Sequence, residues 1–218
     1  MMALEALRAI LPALDYASVA VFALTGALVA SRAQLDVVGF IFIACLTATG
    51  GGTLRDLLLD RQIFWMTNSL ALAIAAVAAI LVFFTAHLLE DRFRAIQWLD
   101  ALALAVAVPA GVAAAGAAGV DWPVVVVMGM ITGCMGGLMR DVVCNEVPMV
   151  LRQGELYVTC AFSGSIAGIV VPNLGLGTSW GLIACALVTF VLRAGSVALG
   201  WKLPVYKPRP PRNSPPKR

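Results

Sequence analysis

Gly50-Gly51-Gly52-Thr53-Leu54-Arg55-Asp56 and Met135-Gly136-Gly137-Leu138-Met139-Arg140-Asp141 are the two runs from which this chain is best read. Each lies late in a long apolar stretch, and each sets glycines just before an Arg-Asp pair. Glycine weakens a helix by about 1 kcal/mol relative to alanine. An Arg or Asp near the middle of a bilayer costs at least about 2.5–3.5 kcal/mol. Weakening a helix and charging it at one place, twice, marks these runs as the candidate site.

The bilayer follows from composition. Of the 218 residues, 61% are hydrophobic and only 12% charged, against about 45–50% and about 25% in a soluble domain. Such a chain cannot cover its surface with polar groups and belongs in a membrane. The five cysteines all fall in apolar stretches without a C-x-x-C pair, and His87 stands alone, so neither a disulfide framework nor a zinc site is indicated. No metal is expected beyond a permeant ion, and no cofactor.

Seven spans of about 20 apolar residues can be placed. They run near 14–31, 37–59, 69–89, 101–120 and 122–144, followed by a charge-free stretch that Pro172 and Asn173-Leu174-Gly175-Leu176-Gly177 split into a sixth and a seventh span. The fold class is an all-α membrane protein. Residues 1–13 read as a short interfacial segment that Pro12 stops, and 203–218 as a basic, proline-rich, disordered tail. Ten Lys and Arg fall on the side of the C-terminus and two on the other, with Arg55, Arg140 and Arg193 inside spans. The positive-inside rule then sets the N-terminus outside and the C-terminus in the cytoplasm.

Shifted by 85 residues, the chain matches itself without a gap at 13 of the 43 positions from Leu14 to Asp56. Matches at Ala or Val mean little here. Asp15 on Asp100, Gly26 on Gly111, Asp36 on Asp121, Gly51-Gly52 on Gly136-Gly137 and Arg55-Asp56 on Arg140-Asp141 mean more. The shift covers three spans, an odd number, so the copies are expected upside down relative to each other. Residues 14–95 form the first repeat, 96–176 the second, and 177–202 the leftover seventh helix. Inverted repeats with broken helices build paths around a midplane site.

Residues four apart share a helix face. Thr47, Gly51 and Arg55 form one such face, and Thr132, Gly136 and Arg140 form it again. A kink at the glycines of spans two and five would bare carbonyls that must be satisfied by water, protein or ions. Carbonyls and hydroxyls facing a watery gap are ligands for an alkali cation. Gly50, Gly52, Gly137, Thr49 and Thr53 join this set of pore or kink candidates. Asp15 is expected to start the first helix at the level of Arg55, and Asp100 the fourth at the level of Arg140, so Asp15–Arg55 and Asp100–Arg140 contacts are expected, with Asp56 and Asp141 second. These six residues are the candidate pore charges or gate. The plainer alternatives are glycines that merely allow close packing and Arg-Asp pairs that anchor helix ends at the headgroups. Ser163, Gly164, Ser165 and Gly168 read first as packing.

The doubled glycine and Arg-Asp runs, in seven spans with a three-plus-three repeat, resemble the trimeric intracellular cation channel (TRIC) family, whose prokaryotic branch also carries a glycine-transporter label. The resemblance covers about Leu14 to Leu199. It implies a homotrimer in the inner (plasma) membrane of a prokaryote, with a pore inside each subunit lined by kinked second and fifth spans. Potassium would be the permeant ion, the partners would be the bilayer, monovalent cations and other copies of the chain, and no nucleic acid is implied. Met135 departs from the family's first glycine, and no lysine precedes Lys202. The rival reading is a secondary transporter of a small solute such as glycine, which would use the same repeat. With no nucleophile–base pair in view, no enzyme is expected.

Overall fold

A computed structural model describes residues 2–89, 91–204 and 206. The helices are α1 (Met2–Arg32), α2 (Val37–Leu58), a short α3 (Phe64–Thr67), α4 (Leu70–Thr85), α5 (Arg92–Ala118), α6 (Trp122–Val143), α7 (Val158–Val171) and α8 (Thr178–Leu199). Seven segments are long and apolar enough to cross a membrane: all or part of every helix except α3. The protein is an all-α membrane protein. The expected sixth and seventh spans are α7 and α8, parted by a π turn at Pro172–Leu176 and by Gly175 and Gly177 at φ 87° and 79°. Of the expected disordered tail at 203–218, residues 205 and 207–218 lie outside the described residues, and its first residue, Leu203, is held by its amide on the Gly154 carbonyl.

The centre is made of four helices. α1 packs on α5 and α2 on α6, while α1 also meets α2 and α5 meets α6. α4 lies against α1 and α2 through Ala71, Ala75, Ala78 and Ala79, small side chains that let helices approach where apolar burial gives no advantage over lipid. Its other face exposes Val77, Leu81 and Phe84, as a lipid-facing surface should. α7 and α8 pack on each other and on the α5 side of the centre. Gly164 of α7 faces Thr189 and the Cys185 carbonyl of α8, and Gly168 faces Cys185, so this stripe is packing.

Two helix boundaries differ from expectation. α1 does not stop at Pro12; it continues through it, losing only the donor that would have reached the Arg8 carbonyl. α5 begins at Arg92, capped by the Asp91 side chain on the Arg94 amide at 2.9 Å. Asp15 and Asp100 therefore lie within helices rather than at their starts. Charge in an apolar stretch reads as an end from sequence, but a paired charge can be buried in the interior.

The 85-residue repeat reappears in the backbone. Gln34 and Gly119, in the turns after α1 and α5, have φ 56° and 70°; Asp60 and Asn145, after α2 and α6, have φ 50° and 55°.

Candidate functional site: two buried arginine clamps

Arg55 donates from Nη1 and Nη2 to the two oxygens of Asp15 at 2.7 and 3.1 Å, and from Nε to Asp56 at 2.9 Å. Arg140 does the same with Asp100 at 2.9 and 3.1 Å and with Asp141 at 2.8 Å. The second oxygen of Asp56 accepts the Phe64 amide at 3.0 Å, and that of Asp141 accepts the Met149 amide at 2.9 Å. Each aspartate that follows an arginine thus ties the end of its helix to the next segment. The expected contacts form, in the same order of atoms, in both copies. We call Asp15–Arg55–Asp56 the first clamp and Asp100–Arg140–Asp141 the second.

Both guanidinium groups are fully buried, which excludes anchors at the headgroups. A charge can lie there because forked pairing with a carboxylate is the strongest form of ion pairing a side chain offers. Each clamp sets two carboxylates on one guanidinium, a formal charge of minus one.

The clamps differ in their surroundings. Asp15 borders a cavity of about 320 Å³ that Tyr16, Arg61, Gln62 and Phe64 also line. Asp100 and Arg140 are fully buried. Arg140 Nη1 also donates to Thr25 of α1 at 2.9 Å, and the Tyr157 hydroxyl donates to Asp100 at 3.3 Å. Burial and the neighbouring Asp100 push the Tyr157 phenol well above its ordinary value, so it keeps the proton it donates. Thr25 and Tyr157 carry no spacing signal in the sequence, since single hydroxyls in apolar stretches usually bond their own helix.

The glycines and threonines form a crossing, not a gap. α2 and α6 keep helical hydrogen bonding through Gly50–Gly52 and Met135–Gly137, so neither helix is broken there. A Cβ on Gly51 would strike the Thr132 carbonyl, and one on Gly136 the Thr47 carbonyl. The two backbones touch, reciprocally, at matched positions. The Thr47 and Thr132 hydroxyls bond the Ile43 and Met128 carbonyls at 2.6 and 2.7 Å. They lie against Gly26 of α1 and Gly111 of α5, both threonines being buried. Gly50 faces the Met139 sulfur, Gly52 the Phe64 ring and Gly137 the Tyr157 hydroxyl. Thr49 bonds the Cys45 carbonyl, whereas Thr53 accepts Trp65 Nε1 at 2.8 Å and so holds α3 rather than the crossing.

A family model described as Glycine transporter matches the chain twice, at residues 12–87 and 97–173, so the two matches themselves start 85 residues apart. Among curated proteins, the chain is 35% identical over 199 residues to the inner membrane protein YadS of Escherichia coli K12, a UPF0126 protein, covering 88% of this chain and 94% of that one. It is 34% identical to a UPF0126 membrane protein of Vibrio cholerae, covering 88% and 81%. Among solved structures, it is similar to the TRIC trimeric intracellular cation channel orthologue from Rhodobacter sphaeroides, with 34% identity, a TM-score of 0.84, and 88% and 98% of the two chains covered. It is also similar to a prokaryotic TRIC channel crystallised in 0.5 M KCl, with 27% identity, a TM-score of 0.82 and the same coverage. Two family matches over most of the chain, relatives above 30% identity along nearly their full length, and one fold throughout lead to one conclusion: this chain belongs to the TRIC family.

Proposed function

We propose that the chain is a monovalent cation channel, permeable to potassium, with one path through the four-helix centre of each subunit and three subunits per assembly. The observation that carries this reading is the charge of the two clamps. Two dry arginines would repel cations, but four carboxylates surround them, leaving a formal charge of minus two along the centre. A low-dielectric path with that charge favours cations over anions. The similar structures are named as TRIC channels, cation channels in the case of the Rhodobacter sphaeroides orthologue, which supports the same sign of ion. The seven apolar helices and the three-span repeat support inverted halves, and the excess of Lys and Arg supports a cytoplasmic C-terminus.

The path in this reading is shut. The Gly51 and Gly136 crossing brings backbone against backbone, and the clamps hold α1 to α2 and α5 to α6 on either side of it. Opening therefore requires α2 and α6 to part, which frees the Thr47 and Thr132 carbonyls to meet a passing ion.

Purified protein in a planar bilayer, with concentrated potassium chloride on one side and dilute potassium chloride on the other, tests this. Discrete unitary currents that reverse near the cation equilibrium potential are expected. Reversal at the chloride potential would overturn the cation assignment. Saturable uptake of labelled glycine into vesicles, without current steps, would favour the transporter instead.

A further inference from the structure

α8 lies outside the repeat and carries a third buried arginine, Arg193. Its Nη2 donates to Glu155 at 3.1 Å, and its guanidinium lies 4.9 Å from the centre of the Tyr157 ring. Its Nε has no hydrogen-bond partner among the described residues. A buried cation is expensive unless paired, and this one is only half satisfied, so its position needs a reason.

That reason lies one residue further on. Tyr157 rests under Arg193 at one end and donates to Asp100 at the other. Asp100 in turn holds Arg140. A continuous line of contacts runs from Glu155, through Arg193 and Tyr157, to the second clamp. Among the described residues the first clamp has no hydroxyl donor of this kind: the Arg55 guanidinium lies 5.8 Å from the centre of the Phe64 ring, which cannot donate. The position 85 residues before Tyr157 is Leu72, which cannot donate, and the position matching Thr25 in the other direction is Ala110. The clamp bonds stand at three for Arg55 and Asp15 with Asp56. They stand at five for Arg140 and Asp100, counting Thr25 and Tyr157.

We infer that Arg193 and Tyr157 are positioning residues that make the second clamp the tighter of two otherwise equivalent gates, so that release of Asp100–Arg140 limits opening. The cation over the ring face orients the phenol, and the phenol fixes the carboxylate. Glu155 is the outer end of this line: its side chain is 22% exposed, and its backbone bridges Lys202 in the segment after α8. The same strap is closed by the Leu203 amide on the Gly154 carbonyl at 3.2 Å. The C-terminal segment is therefore in direct contact with the end of the line that reaches the gate. This inference rests on the clamps acting as gates.

The test is single-channel recording of Tyr157→Phe and Arg193→Gln beside Asp100→Asn and Asp15→Asn, with unfolding temperature and assembly size measured for each. Tyr157→Phe keeps the ring and removes one hydrogen bond to a charged group. It should raise open probability on the order of tenfold, the factor that such a bond carries in an equilibrium. Unitary conductance should stay the same, a readout that a role in folding alone would not separate. Asp100→Asn should raise open probability more than Asp15→Asn. Unchanged gating in Tyr157→Phe and Arg193→Gln, with Asp100→Asn still altered, would overturn the relay and leave the clamps standing. Unchanged gating in both aspartate variants would overturn the clamp reading and this inference together.

Discussion

Arg140 illustrates how a charge becomes affordable inside an apolar chain: its Nε, Nη1 and Nη2 all donate, to Asp100, Asp141 and Thr25, and none of them meets water. Removing one partner of such a group is far worse than removing both, because the remaining charge keeps its desolvation cost without compensation. Arg140→Met alone should therefore destabilise the fold by about 3–5 kcal/mol. Pairing it with Asp100→Leu should recover a large part of that loss, leaving Asp141 still engaged with the Met149 amide. Reversible unfolding of the unaltered protein and of these two variants in mixed detergent measures this, and a double variant no better than the single one would count against the pair as the source of the cost. The pairing was legible because both copies separate acid and arginine by the same 40 residues. Tyr157 and Arg193 were not legible as partners, since neither has a counterpart in the first copy and only the fold brings α8 over the α6–α7 connection.

At the scale of elements, glycine in an apolar helix has two meanings that periodicity cannot separate: a bend, or a place where another backbone arrives. Here the arrival of another backbone is observed at Gly51 and Gly136. α2 and α6 remain helical through their glycine runs, and Gly51 and Gly136 each receive the other helix's threonine carbonyl. Gly51→Ala and Gly136→Ala must push backbone against backbone and should each cost about 1–3 kcal/mol, as overpacking does. Gly50→Ala is the control. The nearest atom to its Cβ is the sulfur of the flexible Met139 side chain, and alanine is the better helix former. It should be neutral or slightly stabilising. Thermal unfolding that ranked all three alike would mean the crossing is not the tight point. Element boundaries are less legible: α5 starts two turns before Asp100, because its partner Arg140 is invisible locally, and α1 passes Pro12 at the loss of one donor.

At the scale of the molecule, the repeat was the most legible feature, because identical Asp, Arg and Gly at one fixed offset are improbable in a chain built mostly of Ala, Val and Leu. Its geometric counterpart is two clamps, two crossing glycines and two pairs of left-handed turn residues at that same offset. In the proposed topology, copies offset by three spans put each loop of one half on the opposite face of the bilayer from its counterpart, and the charge bias assigns the faces. Ser69, between α3 and α4, and Gln153, between α6 and α7, are both exposed and fall on opposite faces by this argument. In a background with the five native cysteines replaced, Ser69→Cys should react with an impermeant maleimide in intact cells. Gln153→Cys should react only after the membrane is opened. The reverse pattern would invert the protein in the bilayer, and the second clamp, with its α8 support, would then face the outside. Labelling of both in intact cells would break the three-span inversion itself, because the two loops would then share a face.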